Sequence, residues 1–374
     1  MDETNRATWL LTQADLRRLV GAVGVDNLMD EVIHDLTEAL RGFDAERIDV
    51  RKREGFALEH AGRTGVLEWM PVMRRGETVT IKVVGYNPDN PAEHGLPTII
   101  ATNSVYDCRT GHLQVVVDGV FATALRTGAA SAVASQILAR PDSRVLGLVG
   151  CGAQAVTQLH ALSRVFTLER VLVFDTDKDV ERSFAQRVAF LHLDVRRVSL
   201  EELEAQSDII CTATSVAVGA GPVITGQGLK PHVHINAVGS DLPGKTELPR
   251  SFLEDSLVCP DFLPQAVVEG ECQQLPRERI GPELVSLVQA PEKYEDWRGR
   301  STVFDSTGLA LEDQVVTQTL LRHARRLGLG TRVDLESLSN DVMDPYGHVM
   351  TDAEVLCDEQ DLTSPAVSQR AVAS

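Results

Sequence analysis

From Thr12 to Leu40 apolar residues recur at helical spacing, with Leu16, Leu19, Leu28, Val32, Leu36 and Leu40 on one stripe and a glycine-containing break near residues 21–24. The pattern predicts two amphipathic helices. Alternation of period two then takes over in the runs 65–73, 77–86, 96–107 and 112–119, bounded by Gly, Pro and Asn, and predicts strands of a mainly antiparallel sheet. Residues 107–111, Asp-Cys-Arg-Thr-Gly, predict a hairpin turn. The Ala-rich stretch from Phe121 to Ala139 has no proline and one glycine, and predicts a long buried helix. From Ser143 the texture changes to short apolar runs alternating with helical ones, the rhythm of a parallel sheet covered on both faces. It continues to about residue 308, and a last helical stretch, Glu312 to Leu327, follows it.

The first apolar run of that second region, RVLGLVG, leads into Gly150-Cys151-Gly152-Ala153-Gln154-Ala155. This is G-x-G-x-x-A, in which the first glycine allows a tight turn and the second lets backbone approach a pyrophosphate. The small third residue lets the helix pack on the strand. The next predicted strand ends in Asp175, where a carboxylate can accept hydrogen bonds from both hydroxyls of an adenosine ribose; it would repel a 2′-phosphate, so NAD is preferred to NADP. Asp177 competes for that role, and either acid can instead be a turn or cap residue. Cys151 reads as a small neutral filler of the loop. The fold expected is α/β, with a Rossmann-type NAD-binding domain over 141–311 and an α+β substrate-binding and dimerisation domain over 1–140, to which 312–344 returns. Residues 345–374 are expected to be a flexible tail.

Charge narrows the partners. Lys and Arg total 36 against 54 Asp and Glu, a net charge of −18, which argues against nucleic acid and anionic membrane. It leaves room for a small cationic pocket. The six cysteines form no CxxC pair, so neither a disulfide framework nor a zinc cluster is predicted, and the reducing cytoplasm is the expected compartment. The acidic amino terminus lacks a signal-peptide pattern, and no apolar run reaches membrane-spanning length. His160, His232 and His234 read as structural, and no metal site is expected.

Three segments then make the chain recognisable: LRTGAASAVAS at 125–135, VGCGAQA at 149–155 and HINAVGSDLPGKTEL at 234–248. Together they resemble the ornithine cyclodeaminase and mu-crystallin family. More narrowly, EWMP at 68–71, VGYNPDNPAEHGLPTI at 84–99, EGECQQL at 269–275 and VFDSTGLALED at 303–313 resemble the L-lysine cyclodeaminases of that family. The resemblance covers about residues 8 to 345.

It implies a redox-neutral deamination in which bound NAD acts as a catalyst. Hydride leaves the α-carbon of a diamino acid, the distal amine attacks the resulting imine, ammonia departs, and the hydride returns to the cyclic imine. Lysine would give pipecolate, and ornithine would give proline. A ketimine reductase or amino-acid dehydrogenase on the same fold is the alternative, and a dinucleotide-binding protein without turnover is a third reading. Such chemistry needs a cleft closed to water.

The resemblance also assigns residues. Arg53, Lys82 and Arg126 would hold the substrate carboxylate, although Arg51, in the charged run RKRE, could replace Arg53. Asp241 would be the acid–base group; on sequence alone an Asp in its G-S-D-x-P-G loop is more often a turn former. Glu68 would orient the distal ammonium, and Thr98 would lie near the reacting centre. Thr127, Thr176, Thr212, Ser215 and Thr307 would lie along the dinucleotide, with Gly150, Gly152, Ala153, Gln154 and Asp175. A homodimer built through the first domain, by extension of its sheet, is implied as well.

Overall fold

The structure, a computed structural model, describes residues 6–350 apart from 61–62. Of the expected flexible tail, 351–374 lie outside the described residues, and 345–350 form exposed turns. Two sheets organise the chain. In the first, β1 (Thr8–Leu11), β2 (Ile48–Val50), β3 (Glu54–His60), β4 (Arg63–Arg74), β5 (Thr78–Tyr86), β6 (Ile99–Asp107) and β7 (Leu113–Asp118) are largely antiparallel. The second holds β8 (Val145–Val149), β9 (Arg170–Phe174), β10 (Val195–Arg197), β11 (Ile209–Thr212), β12 (His234–Ala237), β13 (Leu257–Pro260) and β14 (Thr302–Asp305). The chain then returns to the first sheet with β15 (Thr331–Val333), antiparallel to β1.

The second sheet is parallel throughout, in the order β10-β9-β8-β11-β12-β14-β13. The order reverses between β8 and β11, and open α/β sheets place ligands outside the carboxyl ends of strands at such a switch. Its strands are buried on both faces, as a parallel sheet between helices requires.

The first sheet runs β15-β1-β7-β6-β5-β4-β2, with β3 also on β4. The periodic stretch at the amino terminus folds as helices Gln13–Val23 and Val25–Arg41, broken at Gly24. The Ala-rich helix spans Gly119–Leu138 and is almost wholly buried, which its all-round apolar composition demands. The closing helix, Ala310–Leu327, packs on Val25–Arg41, on the Ala-rich helix and against β4 and β5. No helix among the described residues is long and apolar enough to cross a membrane.

Strands β1, β2, β3 and β15 are not among those the alternation predicts. β1 carries four residues that read as a lead-in to the first helix, and it joins the sheet parallel to β7, a contact more than a hundred positions away. β2 and β15 have three residues each, too few for a period.

Leu320, completely buried in the closing helix, is part of the core shared with the Ala-rich helix. Leu320→Ala should lower the free energy of unfolding by about 2–5 kcal/mol, measured by urea denaturation.

Candidate active site

A cleft of about 1280 Å³ opens between the carboxyl ends of β8, β9, β11 and β12 and one face of the first sheet. That exceeds the roughly 300–1,000 Å³ of an ordinary small-molecule site, and matches a dinucleotide together with a second small ligand. At one end lies the glycine loop. Gly150 has φ +90°, and a Cβ there would stand 2.7 Å from the Ala213 carbonyl oxygen, so the turn admits glycine alone. Gly152 faces open space, with nothing within 4 Å of where a Cβ would stand. The helix Ala153–Val165 starts there without a side-chain cap, leaving its first-turn amides for an anion. These features fit a pyrophosphate.

Asp175 ends β9, and its carboxylate accepts from the amides of Cys151 (2.7 Å) and Asp177 (2.8 Å). Asp177 is committed elsewhere, capping the helix Lys178–Arg187 through the amides of Asp179 and Val180. Both acids border the cleft, but Asp177 is spent on the helix cap, whereas Asp175 stands at the end of β9 against the glycine loop. Thr127, Ala153, Gln154, Thr176, Ser215 and Thr307 line it too. Thr212 does not. It is completely buried with its hydroxyl 2.7 Å from Glu247, because the last residue of β11 points into the loops beneath the cleft. Thr214 takes the lining position. Burial pushes the Cys151 thiol up to about 12, which suits an inert filler.

The second region is cationic. Arg51 sits on the surface, paired with Asp49, whereas Arg53 is buried in the cleft. Arg53 Nε lies 2.6 Å from Glu269, Nη1 lies 3.5 Å from Glu68, and Nη2 donates to the Thr307 carbonyl at 2.8 Å. Lys82, on the inward face of β5, pairs with Asp313 at 2.9 Å; both are 1% exposed at the side chain. Arg126, from the middle of the Ala-rich helix, lies 2.7 Å from Glu312 and 3.4 Å from Asp313. Gly308, at φ +101°, closes over this corner: a Cβ there would come within 3.0 Å of both Arg126 terminal nitrogens. Its loop is held by Asp261, which accepts from the Thr307 hydroxyl and the Gly308 amide.

Burial, reinforced by the neighbouring Arg126, brings the Lys82 ammonium down to about 8. Burial also lifts Glu312 to about 7, against the pull of Arg126. Burial thus disfavours both the Lys82 cation and the Glu312 anion, and the two oppositely charged groups meet in one desolvated corner.

The third region is acidic. Glu68 stands opposite Val84 across β4 and β5, two pairs along from Met70 and Lys82 and so on the same face, and burial raises its carboxyl. Asp241 sits in the loop after β12, with its side chain 25% exposed and 2.8 Å from Lys245. Thr98 borders the same space from the loop before β6.

Sequence reasoning missed the partners. Glu312 and Asp313 fall in the first turn of a helix, where acidic residues ordinarily complement the helix dipole. Glu269, Asp261, Glu247 and Lys245 sit in irregular loops, and no periodicity marks them. Glu247 illustrates their role: it accepts from the Thr212 hydroxyl, the Thr214 amide and hydroxyl, and the Gly239 amide, locking the loops after β11 and β12 together. The histidines lie elsewhere. His160 meets Asp26, His232 lies near Asp208, and His234 meets Thr302. No group of three or more His, Cys, Asp or Glu is placed to hold a metal ion among the described residues.

The profile of the ornithine cyclodeaminase/mu-crystallin family matches residues 14–326. The chain belongs to that family. Within it, the chain is 44% identical over 340 residues to an L-lysine cyclodeaminase of Streptomyces rapamycinicus, across 91% of this chain and 99% of that protein. A solved lysine cyclodeaminase, described with the recognition of L-lysine, L-ornithine and L-2,4-diaminobutyric acid, superposes with a TM-score of 0.89 at 49% identity, covering 91% of this chain and 99% of the other. An archaeal alanine dehydrogenase dimer with bound NAD gives a TM-score of 0.77 at 29% identity over 88% of this chain and all of its own. The cyclodeaminase/mu-crystallin profile thus spans the glycine loop, the cation corner and the Asp241 loop together.

Proposed function

We propose that the protein is an NAD-containing cyclodeaminase that converts L-lysine to L-pipecolate and ammonia. One observation carries this reading: a single cleft holds a dinucleotide loop, a cationic corner and two carboxylates beside it. The similarity to L-lysine cyclodeaminase supports the choice of lysine. Ornithine, shorter by one methylene, is the second candidate, since such a difference is worth about 1–3 kcal/mol of discrimination.

NAD, held by the Gly150–Gln154 loop and Asp175, supplies reversible hydride acceptance at the substrate α-carbon. The remaining work falls to side chains. Arg53, Lys82 and Arg126 hold the α-carboxylate, the two guanidiniums offering planar donor pairs. Asp241 takes the proton from the α-amine and manages protons during ring closure. Glu68 attracts the distal ammonium. The walls of Met70, Val84 and Leu242 keep water from the imine carbon. Lysine becomes pipecolate plus ammonia with no net oxidation, so no external reductant enters the balance.

The outer face of the first sheet bears on oligomeric state. Phe56, Leu58, Leu67, Val83 and Ile100 are each at least 40% exposed and share the face opposite Glu68 and Lys82. Phe56 and Trp69 stack edge to face there, with centroids 5.7 Å apart. A contiguous apolar sheet face of this kind fits a second copy of the chain packed sheet on sheet, which supports a homodimer formed through face packing.

Purified protein given L-lysine without added cofactor should release ammonia and pipecolate in equal amounts, with no net change in NADH absorbance; a steady NADH signal favours the reductase reading. Asp241→Asn should keep NAD bound and lose turnover, whereas Asp175→Ala should lose the dinucleotide. Because Lys82 titrates near 8, kcat/KM should fall above that pH, and Lys82→Arg should move the alkaline limb upward. Light scattering on Leu67→Lys should show a monomer where the parent is a dimer.

A further inference from the structure

Lys245 is a buried cation that the chemistry above leaves without a task. It lines the cleft at 2% exposure. Its ammonium stands 2.8 Å from Asp241 and 5.2 Å from the centre of the Tyr86 ring. Burial opposes its charge, yet Asp241 and the Tyr86 side hold the ammonium above its ordinary range, so it is a fixed cation.

Its place separates it from the other cations. Lys82, Val84 and Tyr86 share one face of β5, and Tyr86 lies four residues, or roughly 13 Å of strand, from Lys82. Lys82 and Arg126 face Asp313 and Glu312, and Arg53 pairs with Glu269 and Glu68 while feeling the charge of Asp241 from further off. Lys245 makes the direct ion pair with the acid–base candidate. The loop joining the two is pinned: Ser240 donates to the Lys245 carbonyl at 2.6 Å, the Gln273 amide donates to it at 3.0 Å, and the Gly244 amide donates back to Gln273 at 2.6 Å. A loop tied at both ends fixes the main chain, and the salt bridge then fixes the Asp241 carboxylate.

We propose that Lys245 is a positioning residue, which aims the Asp241 carboxylate and disfavours a second ammonium beside it, so that the distal amine of the diamino acid reacts there uncharged. The inference rests on the cyclodeaminase reading. A neutral amine is the nucleophile that ring closure requires, and a cation next to Asp241 opposes tight pairing of that carboxylate with a protonated substrate amine.

The test compares the NAD-loaded parent with Lys245→Met and Lys245→Arg. Turnover of L-lysine is measured together with bound NAD and inhibition by L-norleucine, which has the carboxylate and α-amine but no distal amine. Lys245→Met should keep NAD, norleucine affinity and KM near parental values and lose about 100-fold or more in kcat, with Lys245→Arg recovering most of the loss. Should Lys245→Met not fold, Lys245→Gln is read by the same criteria. A kcat close to the parent's, a defect confined to KM, or an equal loss of NAD and norleucine binding overturns the proposal. A parent that releases no ammonia from lysine overturns the proposed function itself, a different result from an active parent matched by an active Lys245→Met.

Discussion

Cations buried in one cleft must be balanced where they stand, because an unpaired charge left out of water costs about 3–5 kcal/mol once its partner is gone. Here Arg53, Lys82, Arg126 and Lys245 meet Glu269, Asp313, Glu312 and Asp241. These pairs are long-range in sequence, apart from the last. Lys82 and Arg126 tie the closing helix to β5 and to the Ala-rich helix, and Arg53 ties the start of β3 to a loop of the parallel sheet. The geometry of the cleft and the packing of its walls are therefore one electrostatic problem with one solution.

The balance is close rather than complete. Glu312, raised to about 7, and Lys82, lowered to about 8, both titrate within reach of neutral pH, each displaced chiefly by burial. Further down, Asp305 and Glu271 are lifted by burial to about 7 and about 8 while accepting backbone amides from the loops around them. These carboxylates act as loop organisers, accepting from backbone amides that burial removes from water.

The net charge of −18 lies over a site that holds cations at its centre. On the proposed function a diamino acid carries two ammonium groups and one carboxylate, so an acidic exterior would favour its approach while the inner cations would take its single carboxylate. The same separation explains why composition argued against nucleic acid yet pointed away from the pocket. The outer face of the first sheet shows a parallel contrast. Its apolar residues alternate in β4 and β5 with Glu68 and Lys82, so one pleated strand serves the cleft on one side and presents Leu67 and Val83 on the other.

Periodicity and turn chemistry are local, and they sufficed for the opening helices, for β4 to β14, for the Ala-rich helix and for the glycine loop with Asp175. Motif resemblance, which carries order along the chain, added Arg53, Lys82, Arg126, Glu68 and Asp241, all of which line the cleft. Tertiary structure decided the rest. It separated Arg53 from Arg51 and Asp175 from Asp177, turned Thr212 away from the cleft, and recruited β1 and β15 into a sheet whose other strands lie far along the chain. It also supplied Glu312, Asp313, Glu269 and Lys245 as partners. The reason is physical: a side chain's period reports which way it points from its own element, whereas pairing of buried charges depends on which elements meet, and that is settled only when the two sheets close around the cleft.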